Sequence, residues 1–312
     1  MGKLIIGGAG FIGSHLCDSL LNRGENVVCI DNLMRGTLSN VNEASKNSKF
    51  VFINHDANDQ PFLESVIKQY HIDFIYHLAA NSDIQASAGD PSIEFECTCS
   101  TTWHVLSAMR NTGVKNLFFA STSALYGKMM PGHPFNEQSP MNPISYYGSA
   151  KMASEAFISA FSYMNDLNVL VFRFPNVIGK RLTHGVIFDF ISRLKKDPSK
   201  LVVLGNGTQT KPYIYADDLI KAILLLAPTN KGRNIYEIGV DGATSVKFIA
   251  ENVVKEMGLS ECEIVYGKDN VGWKGDVPIF AYDYDKIKQT GWRPSMTSDE
   301  AVLATIRYAL GK

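Results

Sequence analysis

The chain has 312 residues, of which 45% are hydrophobic and 20% charged, with 25 Gly and 12 Pro. That supplies ample apolar material for a core and excludes disordered, collagen-like and low-complexity readings. Lys and Arg number 30 against 31 Asp and Glu, so the net charge of −1 offers no global basic field for nucleic acid or an anionic membrane. Any anionic ligand must be held by local groups. No apolar run approaches the ~20 residues of a membrane span, and the expectation is a soluble, cytoplasmic protein. Its five cysteines, Cys17, Cys29, Cys97, Cys99 and Cys262, have no metal-ligand spacing and read as free buried thiols in a reducing compartment. Cys97 and Cys99 fall in a helical stretch, where positions two apart point to different sides, so no metal site is expected.

Taken in order, the elements alternate. Leu4–Ile6 is a buried strand, Phe11–Asn22 carries apolar positions at helical spacing, and Asn26–Ile30 is a strand again. Further strands are predicted at Phe50–Ile53, Phe74–His77, Leu117–Ala120 and Val169–Phe172, separated by helices around Phe62–Gln69, Ile93–Met109 and Ala150–Met164. Strands regularly separated by helices imply an α/β fold, a doubly wound parallel sheet of the Rossmann type covered on both faces. After about residue 180 the pattern loosens. Helices at Val186–Lys195, Asp217–Leu226, Val246–Met257 and Asp299–Leu310, with a strand at Leu201–Leu204, suggest a smaller mixed α/β lobe. The expected division is a dinucleotide-binding domain over residues 1–180 and a substrate lobe over residues 181–312, interleaved at their boundary.

Gly7-Gly8-Ala9-Gly10-Phe11-Ile12-Gly13 follows the first strand and opens the first helix. Glycine there lets the chain turn sharply, brings backbone N–H groups to a pyrophosphate at the helix N-terminus, and packs helix on strand. A purely structural turn would also account for the glycines. The context of strand, glycine turn, helix and strand, with Asp31 some twenty residues on, favours the dinucleotide reading. A carboxylate at Asp31 can accept hydrogen bonds from adenosine ribose hydroxyls and repel a 2′-phosphate, favouring NAD over NADP, although Asp31-Asn32 is also a turn-forming pair and Arg35 lies nearby. Asp56-Ala57, just past the third strand, is placed to meet the adenine edge or simply ends that strand.

Tyr147-Gly148-Ser149-Ala150-Lys151 puts a phenol and an ammonium four apart at the head of a helix, hence on one face. A cation beside a phenol favours the phenolate and makes it a usable base nearer neutral pH. Such a pair is common on surfaces. Here it accompanies the glycine turn and Ser121-Thr122-Ser123 at the end of the fifth strand.

At these motifs the sequence resembles the extended short-chain dehydrogenase/reductases, specifically their nucleotide-sugar epimerase/dehydratase branch. Almost the whole chain takes part, through the glycine turn, Asp31-Asn32, His77-Leu78-Ala79-Ala80, Ser121–Gly127, Tyr147–Lys151, Arg173–Gly179 and Gly291-Trp292-Arg293-Pro294. The resemblance implies a catalytic triad of Thr122, Tyr147 and Lys151, with Thr122 on the sugar hydroxyl, Tyr147 as base and Lys151 on the nicotinamide ribose. It further implies NAD as cofactor, held by Gly7, Gly10, Phe11, Ile12, Gly13, Asp31, Asn32, Asp56, Ala57, Leu78, Ala79, Ala80, Tyr147, Lys151 and Phe174. A nucleotide sugar would meet Thr122, Asn176 and Lys211. Trp103, Val105, Leu106 and Met109 on one helix, and Ala153, Ala156, Phe157, Ala160, Phe161 and Met164 on another, read as core faces or as the pair of helices the family joins across a homodimer.

Departures select the reaction. The family's 4,6-dehydratases carry an acid two before the Tyr of the Ser-Thr motif, a position held here by Ala124. Lys211 and Trp273 stand where the family usually has Arg, so a Lys point charge and Lys274 would have to grip the diphosphate. Ile6 and Thr98 replace a usual Thr and Asn. His77, ending its strand, reads as a residue positioned by backbone contacts. The expected activity is C4 epimerisation of a nucleotide-diphosphate hexose, most simply a UDP-hexose, through a transient 4-keto intermediate. A nucleotide-sugar dehydrogenase, reductase or dehydratase, or a non-catalytic NAD-binding protein, are the alternatives.

Overall fold

The computed structural model describes residues 1–81, 86–129, 132–270, 277 and 279–312. The chain divides into two compact units, one of Met1–Gly127, Pro140–Phe174 and Ile220–Tyr236, the other of Lys128–Ser139, Pro175–Leu219 and Glu237–Lys312.

In order, the elements are β1 (Gly2–Ile6), α1 (Phe11–Asn22), β2 (Asn26–Asp31), β3 (Phe50–Asn54), α2 (Gln60–Gln69), β4 (Ile72–His77), α3 (Ser92–Glu94), α4 (Thr101–Thr112), β5 (Asn116–Thr122), α5 (Tyr146–Asn165), β6 (Asn168–Phe174), β7 (Asn176–Ile178), α6 (Val186–Lys196), β8 (Lys200–Val203), β9 (Thr210–Lys211), β10 (Tyr213–Tyr215), α7 (Ala216–Leu226), β11 (Arg233–Glu237), β12 (Thr244–Ser245), α8 (Val246–Glu256), β13 (Glu263–Tyr266), α9 (Asp285–Lys288) and α10 (Ser298–Ala309).

The first unit is built on a seven-stranded parallel sheet in the order β11-β6-β5-β4-β1-β2-β3. Strand order reverses between β1 and β4, and ligands of such sheets bind at the carboxyl ends beside that switch point. The strands read as continuous apolar runs because both faces are buried: Leu4, Ile5, Cys29, Ile30, Phe118 and Phe119 are all fully enclosed. Register sets the site. Thr122 at the end of β5 pairs with Phe174 at the end of β6, and Ile6 of β1 lies between Ile30 and His77.

Three expectations are corrected. The single helix expected over Ile93–Met109 is interrupted by a π-helical stretch, Phe95–Ser100, between α3 and α4. Side-chain hydroxyls compete for its carbonyls, Thr101 Oγ1 donating to Glu96 O (3.0 Å) and Thr102 Oγ1 to Thr98 O (2.7 Å). The apolar face assigned to α4 splits: Val105, Leu106 and Met109 are core, whereas Trp103 is 43% exposed and packs edge-on against Phe157 and Phe161 of α5. All five thiols are free, and three are buried, but Cys97 and Cys262 are half-exposed.

The second unit packs α6, α8 and α10 around three two-stranded sheets, β7–β10, β9–β12 and β8–β13. Its core includes Ile187, Phe190, Leu194, Val253 and Ile306. Thr297 and Glu300 form a reciprocal capping box at the start of α10, which fixes where that helix begins.

Candidate active site

The glycine turn leaves β1 and enters α1 in a conformation no other residue type could hold. Gly7 has φ +84°, and a Cβ there would stand 2.7 Å from the Ala79 nitrogen; one on Gly13 would stand 2.2 Å from the Gly7 carbonyl oxygen. The turn is thereby pressed against the Leu78-Ala79-Ala80 stretch, whose first amide donates to Ile6 O at 2.9 Å. Helix α1 starts at Phe11 with Gly10 as its N-cap, so no side chain caps it and no acid sits in its first turn. Uncapped amides at a positive helix end make a cradle for an anionic diphosphate.

Asp31 ends β2 beside this cradle. Its Oδ2 accepts from the Ala9 amide (3.0 Å) and its Oδ1 from the Leu33 amide (2.8 Å), with the Gly10 amide as a third donor, which leaves the carboxylate one lone pair for a hydroxyl. Burial pushes its pKa up, while the Leu33, Ala9 and Gly10 amides pull it back. Gly36 is pressed against the same carboxylate, leaving no room there for a Cβ. Asn32 donates to the exposed Asp56 at 3.0 Å, and Asp56 also accepts from the Asn58 amide and side chain, with Ala57 buried beside it. Burial acts upward on Asp56, yet the hydrogen bonds of Asn58 and Asn32 and the nearby His55 bring its carboxyl below the ordinary range. The residues present therefore fit a dinucleotide: donors where a diphosphate needs them and acceptors at the ends of β2 and β3 for ribose and adenine.

Beyond β5 the chain makes a tight turn, Ser123–Leu125, capped by Thr122, whose Oγ1 accepts from the Ala124 amide at 3.1 Å. Because that lone pair is taken, the Thr122 proton is free to go to the Tyr147 oxygen, with which it is hydrogen-bonded. Helix α5 begins at Tyr146 under a Ser145 cap that accepts from the Gly148 amide at 3.1 Å. Lys151, one turn on, is 1% exposed, donates to Ala120 O at 2.7 Å, and lies 4.6 Å from the centre of the Phe119 ring and 6.0 Å from that of Tyr147. Burial brings the Lys151 ammonium down to about 7, opposed by the charges of Glu94 and Glu155. Burial also pushes the Tyr147 phenol well above its ordinary value; the Thr122 hydrogen bond opposes that push and Glu94 adds to it. In the protein alone burial dominates this phenol, and the expected depression by Lys151 is not seen.

A buried network braces these groups. Arg173 of β6 grips Glu155 of α5 at both oxygens (Nε to Oε1 3.0 Å, Nη2 to Oε2 2.7 Å) and donates to Tyr126 OH at 2.7 Å, while Ser121 Oγ donates to Glu155 Oε1 at 2.5 Å. Sequence reasoning missed Glu155, although an acid four residues after Lys151, on the face that α5 buries, was a visible signal. It also missed Glu94 and Asn81. His77 is held by strand pairing with Ile6 and Phe119, as expected, and in addition by a side chain: Nε2 meets Thr102 Oγ1 at 3.0 Å.

The structure thus brings together Thr122, Tyr147, Lys151, the glycine turn, Asp31, Asp56, Leu78–Ala80 and Phe174 in the first unit. Asn176, exposed at the head of β7, and Lys211, half-buried in β9, belong to the second unit. Trp273 and Lys274 lie outside the described residues. Among the described residues, no group of three or more His, Cys, Asp or Glu side chains is placed to hold a metal ion, and no helix is long and apolar enough to cross a membrane.

A parallel sheet with a glycine turn at its switch point and a Tyr-Lys pair on the helix packed beside the end of its fifth strand defines a dinucleotide-dependent class of enzyme. The chain belongs to the NAD dependent epimerase/dehydratase family, whose family model matches residues 3–239, and its cofactor is NAD. It is 31% identical to the human dTDP-D-glucose 4,6-dehydratase over 98% of this chain and 89% of that protein. The structure is similar to that of the UDP-glucose 4-epimerase of Thermotoga maritima with UDP-glucose (TM-score 0.89, 30% identity, 100% of this chain and 99% of that one). It is also similar to the Thermus thermophilus UDP-glucose 4-epimerase in complex with NAD (TM-score 0.88, 29% identity, 100% and 99%).

Proposed function

We propose that the protein is an NAD-dependent 4-epimerase of a nucleotide-diphosphate hexose, a UDP-hexose being the substrate class favoured. The observation that carries the choice of reaction is Ala124. Dehydration across C5 and C6 needs a carboxyl acid/base near the sugar, and a methyl group in the turn after Thr122 can do no proton chemistry. Epimerisation at C4 needs only the Thr-Tyr-Lys set, because one keto intermediate is reduced again on its other face. The Thermotoga neighbour, solved with UDP-glucose, supports the UDP-hexose reading.

In this reading Thr122 holds the C4 hydroxyl and the Tyr147 phenolate removes its proton. Lys151, anchored by the Ala120 carbonyl, keeps a positive charge below the phenolate and reaches the cofactor ribose. Bound NAD would supply the acceptor and donor for the C4 hydride. Phe174, paired in register with Thr122, lines the same strand ends. Asn176 and Lys211 contact the substrate diphosphate. The exposed aromatic surface of Trp103 and Phe157 on α4 and α5 is the surface through which two copies would form a homodimer. Free thiols and a near-neutral charge suit a cytoplasmic enzyme.

Incubation of the NAD-loaded protein with UDP-, GDP- and dTDP-hexoses, followed by NMR and mass spectrometry, tests this. A C4 epimer of unchanged mass is expected. Loss of one water would assign a dehydratase instead, with its acid elsewhere, and stoichiometric release of NADH would assign a dehydrogenase.

A further inference from the structure

Glu94 is a carboxylate that the epimerase reading leaves unused, and it is 1% exposed. It sits at the end of α3, immediately before the π-helical stretch. Its Oε1 accepts from Asn81 Nδ2 at 2.9 Å and its Oε2 from Thr98 Oγ1 at 3.2 Å, with a third hydrogen bond from the Ser87 side chain. All three partners offer protons. Burial pushes the Glu94 carboxyl above its ordinary range, and the Ser87, Asn81 and Thr98 hydrogen bonds and the Lys151 charge oppose that push, each favouring the anion.

Each partner leads to a working part of the site. Asn81 directly follows the Leu78-Ala79-Ala80 stretch that presses on the glycine turn, and its amide points at Thr98 Oγ1 at 3.4 Å. The Thr98 carbonyl accepts from Ser154 Oγ at 3.4 Å, three residues beyond Lys151 on α5, and from Thr102 Oγ1, which in turn holds His77. Thr98 therefore has a task that its departure from the family pattern had left unexplained: its hydroxyl ties Glu94 to the cofactor-lining loop, and its carbonyl ties the same helix to α5.

Resting on the Tyr147–Lys151 assignment made above, we infer that Glu94 is a positioning residue for that pair. It fixes α3 and the cofactor-lining loop against α5, and its buried negative charge sets the protonation of both Lys151 and Tyr147. Among the described residues, the charged and titratable groups that act on the pair are Glu94 from α3, Glu155 from α5 and His77 from β4. His77 is neutral, because burial and the Lys151 charge hold its pKa at about 3. Glu155, which also raises the Lys151 ionisation, is ion-paired with Arg173. Glu94 is thus the anion that faces Lys151 without a cationic partner of its own among the hydrogen bonds and ion pairs above. It favours protonated Lys151 and disfavours the Tyr147 phenolate, moving both ionisations to higher pH.

The test is E94Q in the NAD-loaded protein, read in two ways. The Tyr147 phenolate is titrated by its near-ultraviolet absorbance as the difference between each protein and its Tyr147→Phe counterpart, a measurement that needs no substrate and no turnover. The pH profile of sugar isomerisation is recorded in parallel. Removing one buried negative charge should move the Tyr147 titration and both limbs of the profile to lower pH by about one unit. E94D, which keeps the charge, should hold the wild-type values. A merely structural Glu94 would reduce the rate in both variants and leave the titration and the limbs in place, and that result overturns the inference. Should E94Q fail to fold, the Glu94 carboxyl is followed in the wild type by NMR of carbon-labelled glutamate, assigned by its disappearance in E94D; a carboxyl protonated at neutral pH overturns the inference. If the sugars are not isomerised at all while the Tyr147 titration still shifts, the epimerase reading fails and the role of Glu94 stands.

Discussion

Gly148 and Ala124 approach so closely that a Cβ on the glycine would stand 2.4 Å from the Ala124 carbonyl oxygen. The first turn of α5 therefore lies directly on the turn that follows β5, and this approach lets Tyr147 reach Thr122. Gly148→Ala should force the two backbones apart, costing about 1–3 kcal/mol of stability as overpacking does. A misplacement of roughly 1 Å at the reacting groups costs about 10²-fold in rate. Thermal unfolding and isomerisation kinetics on the same preparation check both; a fully active Gly148→Ala would mean that the helix head is positioned by other contacts.

Tyr147→Phe keeps the ring and its burial and removes only the hydroxyl. Turnover should fall by roughly 10²–10⁴-fold, the usual contribution of a positioned proton-transfer group. NAD should stay bound, which its absorbance after gel filtration reports. Lys151→Ala should damage both, because in the proposed reading that side chain would reach the cofactor ribose and supply the charge beside the phenolate.

The Arg173–Glu155 pair is buried on both sides, with side chains 4% and 5% exposed. Arg173→Met strands a buried carboxylate and should destabilise the protein by about 3–5 kcal/mol, whereas the double variant Arg173→Met, Glu155→Met should recover part of that loss, since it is the unpaired charge that is costly. Denaturant unfolding of the three variants measures the difference. Equal stability of the single and double variants would show that packing, not charge, dominates at this site.

His77 predicts a pH dependence of stability. Thr102 Oγ1 donates its proton to Thr98 O, so it accepts from His77 Nε2–H; Nδ1 is then an unprotonated ring nitrogen with no partner among the described residues. Burial first, and the Lys151 charge second, lower the pKa from 6.5 to about 3. The unfolded chain therefore binds a proton that the folded one refuses between those values. This contribution is fully present above pH 6.5 and is lost progressively as the pH falls towards 3. The unfolding midpoint of the wild type should drop more steeply over that window than that of His77→Gln, and parallel curves would count against a buried neutral ring.

Much of the first unit was legible in the sequence because its signals are local. The glycines of residues 7–13, the alternation of apolar strands with helical spacing, and Tyr147 with Lys151 at one turn's separation each express a constraint met within a few residues, and the β1-α1-β2 start follows from them. What needed the tertiary structure is what joins segments distant in the chain. β11 completes the sheet after an interval of more than fifty residues, and its Arg-Asn-Ile-Tyr-Glu run alone does not announce a strand. The break of the expected helix at Phe95–Ser100 depends on threonine hydroxyls competing for backbone carbonyls. Lys151 was legible as a cation beside a phenol, but burial, which lowers the one and raises the other, is a property of the packed protein. Glu94 looks like an ordinary surface acid in the sequence, and Glu155 is marked only by its place one turn after Lys151. Only folding places them where water is absent, and there a charge must be matched by donors or by a cation, which makes them part of the site.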